Sequence, residues 1–352
     1  MSSCRCRSMR YSSLKVPSKG FADAPSRPEG NRRGGSKFPV EIGLSAAIVS
    51  VDREQPQVLV VRHAKSADAL PFGPFEPLRH RTLESGLRTW VKEQTRLEFE
   101  YAEQLYTFGD RGRHLLGPSE GPRVVSVGYL ALTRATGEFR TPDAFWGDWY
   151  RYFPWEDWRG EKPHIIDRAI VPALKNFVRA DRAFSEQRRT RLRICFGLDG
   201  LNWDEERVLE RYELLYEAGL IEEARRDGRL PVGQRTSEPP LGAGMMFDHR
   251  RILATAIARL RGKMKYRPVV FELMPPAFTL SELQRTVEAI SGVRLHKQNF
   301  RRLVGDQGLV EGTGKFAQMP RGRPAELFRF RREVLSERHA PGLRLGARRL
   351  GI

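Results

Sequence analysis

Positive charge in this 352-residue chain is concentrated at its two ends, and the net +18 conceals that asymmetry. Residues 247–352 hold 22 Lys and Arg against 9 Asp and Glu, and residues 1–37 hold 9 against 2, so residues 38–246 are left at −2. Such a chain cannot fold as one uniformly basic body. It calls for a near-neutral part with its own core, joined to a basic C-terminal part that faces a polyanion. With 40% hydrophobic residues the chain can bury two or three cores. No run of about 18 apolar residues occurs, so no membrane span and no membrane partner are expected. Cys4, Cys6 and Cys195 form neither a disulfide framework nor a zinc-ligand spacing, which fits a reducing, cytoplasmic location. Residues 1–37, rich in Ser, Arg, Gly and Pro, lack the apolar stretch of a secretory signal and are expected as a disordered basic tail.

Along the near-neutral part, Val40–Val51 and Gln57–Arg62 are expected as strands around a turn at Asp52–Pro56. Thr82–Gln94 has the period of an amphipathic helix, with Leu83, Leu87, Trp90 and Val91 on one stripe and Thr82 as its cap. Glu103–Phe108 and Arg123–Leu132 are expected as strands, Pro163–Ala183 as a long helix, Arg191–Phe196 as a short strand and Asp204–Ala218 as a helix ended by Gly219. Helices are further expected over Asp248–Arg261, Pro268–Leu273, Thr279–Ser291 and His296–Val304, with a hairpin over Leu309–Phe330.

The last of these elements form an ordered set. Thr279 and Glu282 stand at capping-box spacing, Leu280, Leu283, Val287 and Ile290 make a buried stripe, and Gly292 ends the helix. The next helix carries Lys297, Gln298, Asn299, Arg301 and Arg302. Cationic groups of this kind neutralise phosphates, and amides and guanidiniums hydrogen-bond base edges. Arg321 and Arg323, in Arg321-Gly322-Arg323-Pro324, lie in the returning arm of a wing and suit a narrow minor groove. Helix, turn, basic helix and wing in this order predict a winged helix that binds duplex DNA.

Phe72–Glu76 and the helix after it lie where a Nudix box would be. There, clustered carboxylates hold a divalent metal on a pyrophosphate. With Arg88 as the box arginine, Thr89 replaces the first glutamate, Lys92-Glu93 the acidic pair and His80 the upstream glutamate. A shift of register by one does not restore the cluster. No metal site and no catalytic residue are therefore expected.

The segments Glu103–Asp110, Arg123–Leu132, 209–224, 248–273 and the C-terminal KYRPVVFELMPPAFTLSELQ, HKQNFRRL and GRPAELFRF resemble the Nudix-related transcriptional regulators of NAD metabolism, the NrtR-like group, and within it the NadQ branch. The resemblance covers about residues 38–345. It implies an α+β chain, with an N-terminal Nudix-like α/β/α sandwich followed by a C-terminal winged helix-turn-helix. The implied division is a tail (1–37), a nucleotide-sensing domain (38–183), a bridging segment (184–246), a DNA-binding domain (247–335) and a C-terminal tail (336–352). It further implies a homodimeric repressor of NAD biosynthesis or salvage genes. No cofactor is implied, but an effector nucleotide is: NAD, ATP or ADP-ribose. Some relatives carry an Arg-Asp-Pro-Arg loop after the YTFGD strand; here the loop begins Asp110-Arg111-Gly112-Arg113-His114. Arg111 and Arg113, beside Asp110, are candidates to grip a pyrophosphate. Tyr106 or Phe108 is a candidate to stack on adenine. A solvated loop and a core aromatic are the plainer alternatives for these positions. Two other functions stay open at this point: an active hydrolase of ADP-ribose or a related dinucleotide, and a basic RNA- or scaffold-binding protein.

Overall fold

The structure is a computed structural model that describes residues 40–62, 67–110, 123–134, 143–231, 241–318, 324–337, 339 and 342–343. The N-terminal tail and most of 336–352 lie outside these residues.

A mixed sheet organises the first half. β1 (Val40–Asp52) and β2 (Gln55–Arg62) form a hairpin whose two turn residues, Arg53 and Glu54, both have positive φ, 45° and 71°. That mirror-image turn matches the twist of the strands it joins. Then follow β3 (Asp68–Ala69), β4 (Phe72–Pro74), β5 (Tyr101–Phe108), β6 (Arg123–Leu132) and β7 (Ala144–Asp148). The order is β3-β2-β1-β6-β5, with β4 on β1 and β7 on β2. β1 and β6 run parallel, and the other pairs are antiparallel.

Alternation along β1 sends side chains to two cores. Ala46 and Ile48, with Leu59, Val61, Tyr129 and Ala131, meet α1 (Leu83–Thr95) on one face. Ala47 and Val49, with Val58, Val60, Leu130 and Leu132, join the other core. Helix α1 is capped as expected by Thr82, with Ser85 completing a reciprocal pair. Leu87, Trp90 and Val91 are almost fully buried, at roughly 1.5–3 kcal/mol each. The exposed Glu84–Arg88 pair contributes about 0.3–0.5 kcal/mol. Burial therefore holds this helix in place.

Beyond β7 the chain is helical. A π turn over Ile166–Ile170 runs into α2 (Val171–Arg179), so the expected long helix contains a wide turn just before Pro172, whose nitrogen carries no proton to donate. α3 (Ser185–Phe196) corrects the expected strand at Arg191–Phe196. Leu192, Cys195 and Phe196 are buried at helical spacing, whereas Ile194, which completed the strand pattern, is exposed. α4 (Val208–Glu217), α5 (Glu222–Arg226) and α6 (His249–Tyr266) follow. α6 lies against β1, β5, β6 and α4. Expected as the first helix of the DNA-binding part, it is also a covering layer of the sheet. It comes close enough at Gly128 that a side chain there would press on Ile252 and Phe108.

A short 3-10 stretch, Val269–Leu273, replaces the helix expected at Pro268–Leu273, and Pro275 and Pro276 follow it. Then come α7 (Leu280–Ser291), α8 (Lys297–Gln307), the hairpin β8 (Val310–Ala317) and β9 (Ala325–Phe330), and a last turn of helix, α9 (Val334–Glu337). Phe278 pairs with Phe328 and adds a third strand contact. Leu283, Val287, Ile290, Phe300, Val304 and Leu309 belong to the same continuous core as the sheet's second face. The α+β architecture, a sheet between helical layers followed by a winged helix, is the expected one.

Where α4, α6 and α7 meet lies a buried ionic centre. Glu156 accepts from Arg211 Nε and Nη2 at 2.6 and 2.8 Å and from Arg261 Nη1 at 2.8 Å. All three side chains are at most 1% exposed. Replacing Glu156 with Ala leaves two buried guanidiniums facing each other and should cost about 3–5 kcal/mol, read as a fall in the midpoint of urea unfolding.

Candidate functional site

Helix α1 is held to the sheet by packing and by hydrogen bonds. Trp90 Nε1 donates to Pro74 O at 2.8 Å, and Gln94 bonds both backbone groups of Phe72, so α1 is fastened to β4. His80 is buried beneath Gly86 and accepts from Glu76 N at 3.0 Å. Thr89 bonds its own helix at Ser85 O. The carboxylates nearby face cations: Glu76 and Glu93 lie 3.1 and 3.8 Å from Arg79, and Glu84 lies 2.8 Å from Arg88. Arg88 itself reaches the carbonyls of Phe99 and Glu100. Among the described residues no three of His, Cys, Asp and Glu gather as a metal site would require.

On the other side of the sheet, β5 runs out at Phe108, Gly109 and Asp110. Tyr106 is 62% exposed and meets Phe108 edge to face. Phe108 is 1% exposed and packs in the core, with the Arg251 guanidinium 5.3 Å from its ring centre. Its ring therefore presents no face to a base; of the two aromatic candidates only Tyr106 does. Asp110 is ion-paired to Arg251, so in this structure it fastens the strand end to α6. Arg111 and Arg113 lie outside the described residues.

Helix α6 was not foreseen as part of this corner. Arg251 bonds Glu213 and Asp248 as well as Asp110. Two and three turns further along the same face, Arg259 and Lys263 pair with Glu103 at the start of β5, and Lys263 also donates to Tyr101 at 2.8 Å. Burial alone would raise the Glu103 carboxyl, but its bonds from Lys263 and Tyr101 and the charges of Lys263 and Arg259 hold it below its usual range. The sequence signal was the i, i+4 spacing of Arg259 and Lys263, eight and twelve residues after Arg251, which cannot reveal acids on a distant strand.

The winged helix presents its basic face outward. Lys297, Gln298, Asn299, Arg301 and Arg302 are all exposed, while Phe300 and Val304, on the opposite side of α8, are 2% and 1% exposed. Other arginines of this region are paired: Arg285 with Glu54, Arg294 with Glu288, Arg329 with Glu311 and Arg331 with Glu337. Lys297, Arg301 and Arg302 have no carboxylate in ion-pair range among the described residues. The turn into α8 is fixed by a buried acid. Glu288, 3% exposed, accepts from Leu295 N at 2.9 Å, Gln284 Nε2 at 2.8 Å and Arg294 Nη1 at 2.8 Å. In the wing, Thr313 Oγ1 donates to Leu327 O at 2.8 Å across the hairpin. Arg321 and Arg323 lie outside the described residues.

Glu288→Ala should strand the Leu295 amide and cost about 1–3 kcal/mol. Faster hydrogen exchange at Leu295 than in the unmodified chain would register it.

Comparison with known proteins matches this last region. Residues 270–330, from the 3-10 stretch to the end of β9, match the family model described as the NrtR DNA-binding winged helix domain. The curated ADPR responsive transcriptional repressor NtrR of Acinetobacter baylyi is 43% identical over 95 residues, which is 27% of this chain. The chain spans 38% of that relative's length. The crystal structure of Shewanella oneidensis NrtR complexed with a 27mer DNA aligns at 19% identity and TM-score 0.48, over 84% of this chain and 95% of that one. A MutT/nudix family protein from Enterococcus faecalis aligns at 15% identity and TM-score 0.47, over 86% and 90% of the two chains. In its segment 270–330, then, this chain carries a winged helix of the NrtR type.

Proposed function

We propose that the protein is a DNA-binding transcriptional repressor of NAD biosynthesis or salvage genes, acting in the cytoplasm as a homodimer. Its Nudix-like part senses an NAD-related nucleotide and does not hydrolyse it. The observation that carries this reading is the exposed, unpaired cationic face of α8 within a segment matching a DNA-binding domain model. One α8 per half-site enters the major groove of a palindromic operator, with the wing against the backbone and the minor groove. Among the candidate effectors, ADP-ribose is favoured because the curated relative is described as ADPR responsive. The replaced box glutamates and the arginine-bound carboxylates around α1 support binding without turnover. The effector alters operator affinity only through its different affinity for two conformations.

A gel shift with DNA from upstream of NAD-metabolism genes tests the reading. A sequence-specific complex that responds to ADP-ribose is expected; no specific complex, with or without ADP-ribose, NAD or ATP, sinks it. Arg301→Ala and Arg302→Ala should each weaken binding. Where the lost contact is to phosphate, the loss is the same for operator and random DNA, and the log–log salt slope becomes shallower by about 0.9 per contact. ADP-ribose incubated with the protein and Mg2+ should remain intact by chromatography.

A further inference from the structure

β5 is the outermost strand of the described sheet, and the pairing with β6 that holds it slips register between Gln104 and Thr107. Its outer end is held by ionic straps to one helix instead of by another strand. Glu103, at its beginning, is bound by Lys263 and by Arg259 at 3.6 Å. Asp110, just past its end, is bound by Arg251. All three cations stand on one face of α6. Arg251 also reaches Glu213 on α4, so Asp110 is tied to two helices through one guanidinium.

Elsewhere on its surface α6 holds the winged helix. Arg261 Nε donates to Ile290 O at 2.8 Å, two residues before the turn glycine Gly292, and its Nη1 holds Glu156. Segment 150–158, which Glu156 belongs to, bonds the same turn: Tyr150 OH donates to Ala289 O at 2.8 Å and Trp158 N to Gly292 O at 2.7 Å. The turn leads into α8. At 18 residues, α6 is a rod of about 27 Å.

We infer that α6 is the coupling element between the nucleotide corner and the DNA-reading helix, and that Arg251 is the residue that positions the corner and passes its displacement on. This rests on the proposed function and adds its route. A diphosphate at this corner competes with the Asp110 carboxylate for Arg251. That competition shifts one end of α6, and Arg261 carries the shift to the carbonyl end of α7. Arg251 stands on α6 and bonds Asp110, Glu213 and Asp248, so its effect is expected in the coupling and not in basal DNA affinity.

The experiment measures operator affinity by fluorescence anisotropy with and without ADP-ribose as the probe, and ADP-ribose binding by calorimetry, for the full chain and for Arg251→Met, Arg251→Lys and Lys263→Met. Arg251→Met keeps the side-chain stem near Phe108 and loses every strap. In the unmodified chain, ADP-ribose is expected to change operator affinity within the range of about 5- to 150-fold that allosteric coupling spans. Arg251→Met should bind operator within about twofold of the unmodified chain, yet show an ADP-ribose effect reduced to about twofold or less. Arg251→Lys, which retains one charge, should fall between them. Lys263→Met leaves Glu103 held on α6 by Arg259 alone and loosens the other end of β5, so its response should shrink too, which also covers the case that Arg251→Met does not fold. A full ADP-ribose response in folded Arg251→Met or Lys263→Met overturns the inference while leaving the proposed function standing. An unmodified chain that binds no operator, or binds it without responding to any nucleotide, overturns both.

Discussion

One carboxylate between two guanidiniums sets how the parts of this protein meet. Glu156 lies in the aromatic segment after β7, Arg211 on α4 and Arg261 on α6, and none is solvated. Two cations against one anion leave an excess charge that backbone dipoles must offset. Arg211 Nη1 donates to the carbonyls of Cys195 and Asp204, and Arg261 to those of Glu205 and Ile290. Trp203 covers Arg211, its ring centre 3.8 Å from the guanidinium. A buried ion pair contributes little net stability against an apolar replacement, because desolvation cancels most of the attraction. What it adds is direction. These donors and acceptors are satisfied in one mutual placement of α3, α4, α6 and the end of α7. Gly292 belongs to the same constraint: with φ of 76° it lies against the backbone oxygen of Glu156, where a side chain has no room.

The charge asymmetry of the sequence has an origin inside the protein as well as in the proposed DNA partner. Helix α6 contributes Arg250, Arg251, Arg259, Arg261, Lys263 and Lys265 to the basic C-terminal third. Every one is paired inside the protein, with Glu223, Asp110, Glu103, Glu156, Glu103 and Glu205 respectively among its partners. Those acids lie in the near-neutral middle. Part of the contrast between the two regions is thus the signature of an internal interface, cut apart by a count along the chain. Once it is removed, Lys297, Arg301 and Arg302 of α8 stand out more sharply, because Arg285, Arg294, Arg329 and Arg331 in the same region are paired.

Elements governed by local rules were legible. The α1 cap at Thr82, the α7 capping box at Thr279 and Glu282, the end at Gly292 and the exposed face of α8 all follow from residues within a few positions of one another. Elements decided by distant partners were not. Arg191–Phe196, expected as a short strand, belongs to helix α3, whose core contacts are Leu192, Cys195 and Phe196. Phe108 was a candidate stacking ring by position alone; the approach of α6 at Gly128 is what buries it. The role of Glu288 in the turn before α8, and that of Glu103 against α6, require knowing which helix end or strand lies opposite, which one sequence does not state.

The proposed binding without turnover and the inferred coupling through α6 bear on each other. A site that consumes its ligand reports flux, because occupancy falls as turnover proceeds. A site that holds its ligand unchanged reports concentration, and its occupancy can be linked reversibly to another equilibrium. Under the proposed function, His80, Thr89 and Lys92 stand where metal-binding glutamates would be, while the Trp90–Pro74 and Gln94–Phe72 bonds hold α1 on β4. Reversible linkage also needs a mechanical connection, since a ligand shifts DNA affinity only by preferring one arrangement of the reading helix. The continuous core from the sheet into the winged helix supplies the stiffness, because packed interiors transmit a displacement without absorbing it. The ionic straps of α6 supply the attachment at the ligand end. Under the proposed function, loss of catalysis and the sharing of one helix between sheet and winged helix are then two parts of the same device: the first makes occupancy a stable signal, and the second gives that signal a path to the DNA.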